Sequence, residues 1–544
     1  MLTPIRRFWN LLAIYKTEIR QIYTYAVFNG MVNLTLPLGI QAIINYIQTG
    51  EVTSSWVILV CFVLIGIAAS GGIQVFQLRI VENIQQDLFA RSAFEFAFRI
   101  PRISFLQLDK IHAPELVNRF FDTLTIQKGL PKILIDLSLA AFQIIFGLIL
   151  LAIYSPYFII LGVSLIIVLV LIFQITGPRG LQTSLVESKY KYQLAHWLEE
   201  VARVNRSFKL NTANSFHLNR TDNITVDYLC ARENHFQVLI NQFRLFIGFK
   251  VFVAAGLLIL GGYLVFQEQM NIGQFVAAEI IILLVINSVE KLLRIIDTIY
   301  DVLTALEKIG LVTDLRLDSE RGKAQIERGK EGLRIKAADI EFGFPTDSKR
   351  IIDGLSFEID SGSKVVLSGP SGSGKTILLH LMAGIHGILE GELYVNGIPL
   401  KNYQRDNLYK YVDMSFPTNQ IFEGTIQENI AMGREIPARK MAEVIEVLRL
   451  NDFLIHQPQG IDSLVDSGGR RLPRSIIQKI LIARIIVGEP RLLLMEDPLQ
   501  FVEEHEKKRI IDYLMNKERP WTLVVVSDFY YWKEKCSQLL TLSK

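Results

Sequence analysis

The chain has 544 residues, half of them hydrophobic, with a mean hydropathy of +0.31 and a formal net charge of +3. That hydropathy is high for a soluble protein of this size, and so small a charge, with no basic stripe interleaved with aromatics, argues against a nucleic-acid partner. Cys61, Cys230 and Cys536 lie far apart, which excludes a disulfide framework or metal-ligand spacing; buried free thiols are expected.

Taken in order, Arg6, Arg7, Lys16 and Arg20 precede the first apolar run, and no small-residue cleavage site follows it, so no signal peptide is expected. Six membrane helices are predicted near 23–47, 56–78, 130–154, 156–176, 243–266 and 272–296. Each has about 20–25 residues, enough to cross about 30 Å of hydrocarbon. The connections Gln48–Ser55, Ser155 and Gln267–Asn271 carry no Lys or Arg, whereas those over 79–129 and 177–242 are rich in both. The positive-inside rule then puts both termini and both long connections in the cytoplasm. Charged and apolar residues alternate at helical spacing over Glu187–Leu210, so helices two to five are expected to continue beyond the bilayer as stalks. Short elements are expected near Asp109–Glu115 and Asn211–His217, at the bottoms of the two hairpins.

Within the sixth helix, Glu279 is an intramembrane carboxylate, which either touches a substrate or gate, or is hydrogen-bonded or hydrated locally. Glu290 and Lys291 read as an interfacial pair, and Lys250 as a lysine that snorkels to the cytoplasmic interface.

Residues 1–309 therefore form an all-α membrane domain, 310–332 a charged linker, and 333–544 an α/β domain of short β-branched runs alternating with helical stretches. Lys364–Ser368 is a strand, Thr376–Ala383 a helix, and between them stands Gly369-Pro370-Ser371-Gly372-Ser373-Gly374-Lys375-Thr376. Strand, glycine loop and helix together identify a phosphate-binding loop. Its backbone N–H groups and the helix N-terminus would cradle the phosphates of ATP, Lys375 would contact the β/γ-phosphates, and Thr376 would ligate Mg²⁺. Leu492–Met495 and Leu523–Val526 read as further buried strands.

With these residues in place, the whole chain resembles a half-size ABC exporter, a multidomain membrane protein with six transmembrane helices followed by one P-loop nucleotide-binding domain. Gly424-Thr425-Ile426 and Glu428-Asn429-Ile430 are similar to the stretch after the family's Q-loop, and Phe342-Gly343-Phe344-Pro345 to the segment whose aromatic stacks on adenine, which makes Phe344 a cofactor-binding candidate. Trp197-Leu198-Glu199-Glu200 looks most like the toxin-secretion (type I) group, without that group's N-terminal peptidase domain. The resemblance implies membrane lipid and a second half-transporter as partners, allows a periplasmic adaptor, and places the protein in a bacterial inner membrane.

Several motifs depart from the family. Its L-S-G-G-Q signature, which caps the γ-phosphate held by the opposite subunit, falls on Leu472-Pro473-Arg474-Ser475-Ile476, where Pro473 removes a donor and Arg474 brings a charge. The metal-binding and catalytic carboxylates fall on Glu496 and Asp497, exchanged in identity, so Glu496 would serve Mg²⁺ and the general base would be one methylene short. The segment after them reads Gln500-Phe501-Val502-Glu503, Asp528 takes the place of the switch histidine, and Pro417 that of the Q-loop glutamine, with Gln420 nearby out of register. A carboxylate beside a γ-phosphate repels it. The expectation is a chain that binds ATP and hydrolyses it weakly or not at all, acting either as an exporter subunit or as a regulatory pseudo-ATPase partner.

Overall fold

The computed structural model describes residues 3–49, 54–108, 111, 113–211, 215–318, 322–344, 350–417 and 420–542. The chain divides into two compact units, residues 1–103 with 107–316, and residues 317–544 with 104–106. Of the hairpin-bottom segments, residues 109, 110, 112 and 212–214 lie outside the described residues, as do 319–321 of the linker and Pro345.

Among the described residues of the first unit, six helical segments are long and apolar enough to cross a membrane. Three helices, Ser54–Arg99, Tyr157–Arg203 and Phe216–Phe266, have 46, 47 and 51 residues. At 1.5 Å per residue each is roughly 70–75 Å long, more than twice the hydrocarbon thickness, as the stalk expectation requires. The final helix, Ile272–Thr313, opens on a capping box between Asn271 and Gln274 and runs into the segment expected to be linker.

Two predicted spans are not simple helices. The first divides at Leu34 into Lys16–Asn33 and Thr35–Thr49. Pro37 has no N–H to offer the Asn33 carbonyl, and at the same break Thr35 Oγ1 donates to Val32 O at 2.7 Å. The third contains Pro131 followed by a π-helical turn, Lys132–Asp136. The Gln127 carbonyl, deprived of the Pro131 N–H, accepts from Gln85 Nε2 at 2.6 Å.

Packing among these helices relies on small residues and a few hydrogen bonds, as membrane helices require. A Cβ on Gly180 would stand 2.3 Å from Tyr300 Cζ, so only glycine lets the helix Tyr157–Arg203 approach the final helix there. Nearby, Gln242 Nε2 donates to Tyr300 Oη at 2.9 Å, and Ser184 and Thr304 share a hydrogen bond of 2.9 Å.

Two side-chain expectations are corrected. The thiols are free but not buried: Cys61 and Cys230 are exposed and Cys536 is half-buried. For Cys61, on the apolar surface of a membrane helix, a thiol is a small hydrophobe that hydrocarbon accepts. Glu290 pairs not with Lys291 but with Lys250 (2.6 Å) and Arg294 (2.7 Å), because adjacent helical residues point away from each other whereas i and i+4 share a face. Lys250 is thus tied to Glu290. Glu279 is exposed on this chain and has no hydrogen-bond partner among the described residues.

The second unit is built on two main sheets. We number its strands β1 (Ile335–Phe342), β2 (Ile352–Ile359), β3 (Lys364–Ser368), β4 (Glu390–Val395), β5 (Ile398–Pro399), β6 (Val412–Ser415), β7 (Gly424–Thr425), β8 (Leu464–Val465), β9 (Leu492–Glu496), β10 (Thr522–Val526) and β11 (Gln538–Thr541). Strands β2-β1-β4-β5 form an antiparallel sheet, and β11-β3-β10-β9-β6 a five-stranded parallel sheet. The strands β3, β9 and β10 are almost wholly buried, so their near-continuous Val and Leu runs are what a sheet covered on both faces demands.

Candidate functional site

Register alone gathers the site. Leu367 of β3 pairs with Val526 of β10, and Val526 with Glu496 of β9. The carboxyl ends of three neighbouring parallel strands therefore finish on one line, the edge where open α/β sheets bind ligands. The segments leaving that edge are the glycine loop, Ser527-Asp528 and Asp497. With Ile351 they wall a cavity of about 520 Å³ that includes Gly369, Ser371, Gly372, Gly374, Lys375, Thr376 and Glu496.

The loop's shape explains its glycines. Gly369, Gly372 and Gly374 have φ of +152°, +79° and +87°. A Cβ on Gly369 would also lie 2.7 Å from the Leu542 carbonyl. The Ser373 N–H bonds Pro370 O at 3.2 Å, closing the turn, and the helix Lys375–Met382 begins at once. Lys375 Nζ donates to Gly369 O (2.8 Å) and Pro370 O (2.9 Å), so its charge sits over the loop. Thr376 Oγ1 donates to Glu496 Oε1 at 2.5 Å.

These residues fit ATP and Mg²⁺. Ser373 Oγ is buried with no hydrogen-bond partner, a donor in a loop shaped for phosphate oxygens. Thr376 and Glu496 place a hydroxyl and a carboxylate side by side, the oxygen set a hard cation takes. Glu496 would thus hold the metal with Thr376, while the loop and Lys375 would hold the phosphates.

The remaining carboxylates are less favourable. Asp497 has a left-handed backbone (φ +40°), and its N–H donates to Val526 O at 2.9 Å. Burial pushes its carboxyl above the ordinary range, and Asp528 adds to the shift, while a hydrogen bond from Ser527 and the charge of Lys375 oppose it. With Glu496, three carboxylates therefore share the cavity wall with a single lysine.

Other predicted residues lie elsewhere. Phe344 is not among the cavity-lining residues; its ring stands edge-on to Phe342 (5.4 Å between centroids) and His386 (6.1 Å). Pro473 precedes the helix Arg474–Ile486 without a side-chain cap, and the Arg474 guanidinium lies 5.0 Å from the Phe501 ring centre. The Phe501 N–H donates to Gln478 Oε1 at 2.8 Å, so the segment after Asp497 is docked on that helix. Neither Pro417 nor Gln420 reaches the cavity.

Sequence reading missed Ile351 and Ser527, for which no motif offers a signal, and the role of Arg484. Arg484 donates to Asn429 O (2.7 Å), Asn429 Oδ1 (3.1 Å) and Gln420 O (3.3 Å). Asn429, fully buried, in turn donates to Phe422 O and Thr425 O and accepts from the Phe422 N–H. The segment around Gln420 is thereby tied to the helix that carries Arg474.

Comparison with known proteins agrees with this geometry. Residues 22–289 match the family described as ABC transporter transmembrane region, and residues 352–500 the family ABC transporter. The ATP-dependent lipid A-core flippase of Burkholderia pseudomallei is 26% identical over 277 residues, which is 51% of this chain and 46% of that protein; the chain thus spans about half the length of such relatives. A probable microcin secretion/processing ATP-binding protein of Escherichia coli is 21% identical over 547 residues, covering 94% of this chain and 74% of its own length. In fold, the chain is similar to a bacterial Atm1-family ABC exporter solved with ATP bound, with a TM-score of 0.84, 17% identity, and coverage of 98% and 94% of the two chains.

Proposed function

The chain belongs to the ABC transporter family, with membrane region and ATP-binding domain in one polypeptide, and from that premise we propose that it is one half of a dimeric exporter that binds Mg·ATP and hydrolyses it slowly. The observation that carries the nucleotide reading is the contact between Thr376 and Glu496 beneath a complete phosphate loop. Glu496 has taken over the metal position in spite of its extra methylene. Slow hydrolysis rests on the shortened base Asp497, on Asp528 beside it and on Pro473 in the signature, since phosphoryl transfer needs base, metal and charge-stabilising contacts together.

The Lys and Arg bias of the long connections supports a cytoplasmic location for both termini and the ATP-binding domain, in a bacterial inner membrane. Similarity over nearly the whole chain to a microcin secretion protein favours a peptide cargo, and the half-length similarity to flippases makes lipid the competing class. The crowding of Asp497 and Asp528 favours a second reading, a pseudo-ATPase subunit that binds ATP and controls a partner transporter.

The test is ATP binding and turnover by the purified full chain in lipid, with Lys375→Ala as control. Binding that depends on Lys375, with turnover well under one per second, is the expected result; lysine-dependent turnover of about one per second or faster, the usual enzyme range, would refute slow hydrolysis.

A further inference from the structure

A second cleft lies in the membrane unit, between the helices Tyr157–Arg203 and Phe216–Phe266. It holds about 480 Å³, within the roughly 300–1,000 Å³ typical of small-ligand sites. Arg179, Gln182, Thr183, Asn234, Gln237 and Asn241 supply its polar wall, and none of its lining residues is a carboxylate. The Arg179 guanidinium has no ion-pair or hydrogen-bond partner among the described residues. The nearby acidic groups are occupied: Glu187 by Arg232 at 3.2 Å, and Glu233 by Gln237 at 2.6 Å. Arg244 adds a second cation beside the cleft, 3.3 Å from Asn241 Oδ1.

The level of the cleft is set by the sequence. The apolar run of the first helix ends at Thr176, three residues before Arg179, and that of the second begins at Phe243, two residues after Asn241. At 1.5 Å per residue both helices leave the hydrocarbon within about 5 Å of the cleft. Apolar ridges run from it into the bilayer. Ile175 and Leu171, one and two turns from Arg179, are 70% and 49% exposed, and Leu245, one turn from Asn241, is 46% exposed.

An unpaired guanidinium among amide donors, at the foot of two exposed apolar ridges, matches a molecule with an anionic head and hydrocarbon tails. We propose that this cleft binds the phosphate head group of a cytoplasmic-leaflet lipid, with the guanidinium fork on the phosphate and the acyl chains along the ridges. The inference rests on the membrane orientation proposed above.

Native mass spectrometry of the detergent-purified full chain, titrated with phosphatidylglycerol and with phosphatidylcholine of the same acyl chains, tests it. The wild type should retain the anionic lipid in preference. Arg179→Gln should lower that preference by about tenfold, the scale of one charge-assisted contact, and Arg179→Lys should keep part of it. Asn241→Asp, which puts a like charge in the cleft, should lower it independently and covers the case of a poorly folding Arg179 variant. Equal retention of both lipids by the wild type, or unchanged preference in both Arg179→Gln and Asn241→Asp, overturns the proposal. Displacement of the lipid by inorganic phosphate also overturns it, in favour of a soluble phosphate ligand. ATP binding is measured on the same samples, so loss of nucleotide binding with lipid preference intact would count against the export reading alone.

Discussion

Thr376 Oγ1 stands 2.5 Å from Glu496 Oε1, joining the first turn of the phosphate-loop helix to the end of β9 across residues 120 apart in sequence. The contact sets a carboxylate beside the hydroxyl of the phosphate loop, the pairing on which the proposed Mg²⁺ site rests. Glu496→Ala should therefore weaken ATP binding in the presence of Mg²⁺ by about 1.5–3 kcal/mol, roughly ten- to hundredfold, and leave binding in EDTA nearly unchanged. Titration of a fluorescent ATP analogue with and without the metal measures both arms.

Asp497 and Asp528 crowd two carboxylates beside one lysine. Lengthening the first and neutralising the second should relieve both defects. The double variant Asp497→Glu, Asp528→His is expected to raise turnover on the order of 100-fold, the effect of correcting a misplacement of about 1 Å. Steady-state phosphate release would show it, and an unchanged rate would assign the block to Pro473 and the signature segment instead.

His380 lies against Phe416 and His386, with ring centroids 5.1 Å away in each case, and neither of its ring nitrogens has a hydrogen-bond partner. Burial, with the neighbouring His386, lowers its pKa from 6.5 to about 4. The unfolded chain then binds a proton that the native chain refuses between those values, so stability falls as pH drops through that window. His380→Leu should flatten this acid limb in thermal unfolding of the full chain in detergent, with little change at pH 8.

Asn429 is fully buried and satisfies three backbone groups around Phe422 and Thr425, while Arg484 holds its carbonyl and side-chain oxygens. Asn429→Ala leaves those groups unpaired. The expected loss is about 2–3 kcal/mol of stability, seen as a lowered unfolding midpoint. Arg484→Ala should act in the same direction, and the two losses should fall short of additive because they share one network.

Much of this architecture was legible because it depends on local pattern. The apolar runs have bilayer length, and the glycines of the phosphate loop are required by backbone angles no other residue adopts easily, so both signals lie within a few consecutive residues. The break at Leu34 and the π turn after Pro131 were harder to read, because proline removes a donor but the sequence does not say which side chain fills the gap. At the π turn Gln85, which belongs to another helix, does so. The pairing of Lys250 with Glu290, 40 residues away, overrode the neighbouring Lys291 for a similar reason.

The sequence by itself determined the six spans, the strand–loop–helix of the phosphate site and the identities of its altered carboxylates, since these follow from hydropathy, spacing and residue type. Only the tertiary structure decided which groups meet: that parallel register brings Glu496 to Thr376 and Asp528 to the wall beside Asp497, that Phe344 turns to Phe342 and His386, and that Arg179 faces a cleft with no acid to pair it. Those meetings join residues up to 120 positions apart, and side-chain contacts at such separations are set by packing rather than by any local preference of the chain.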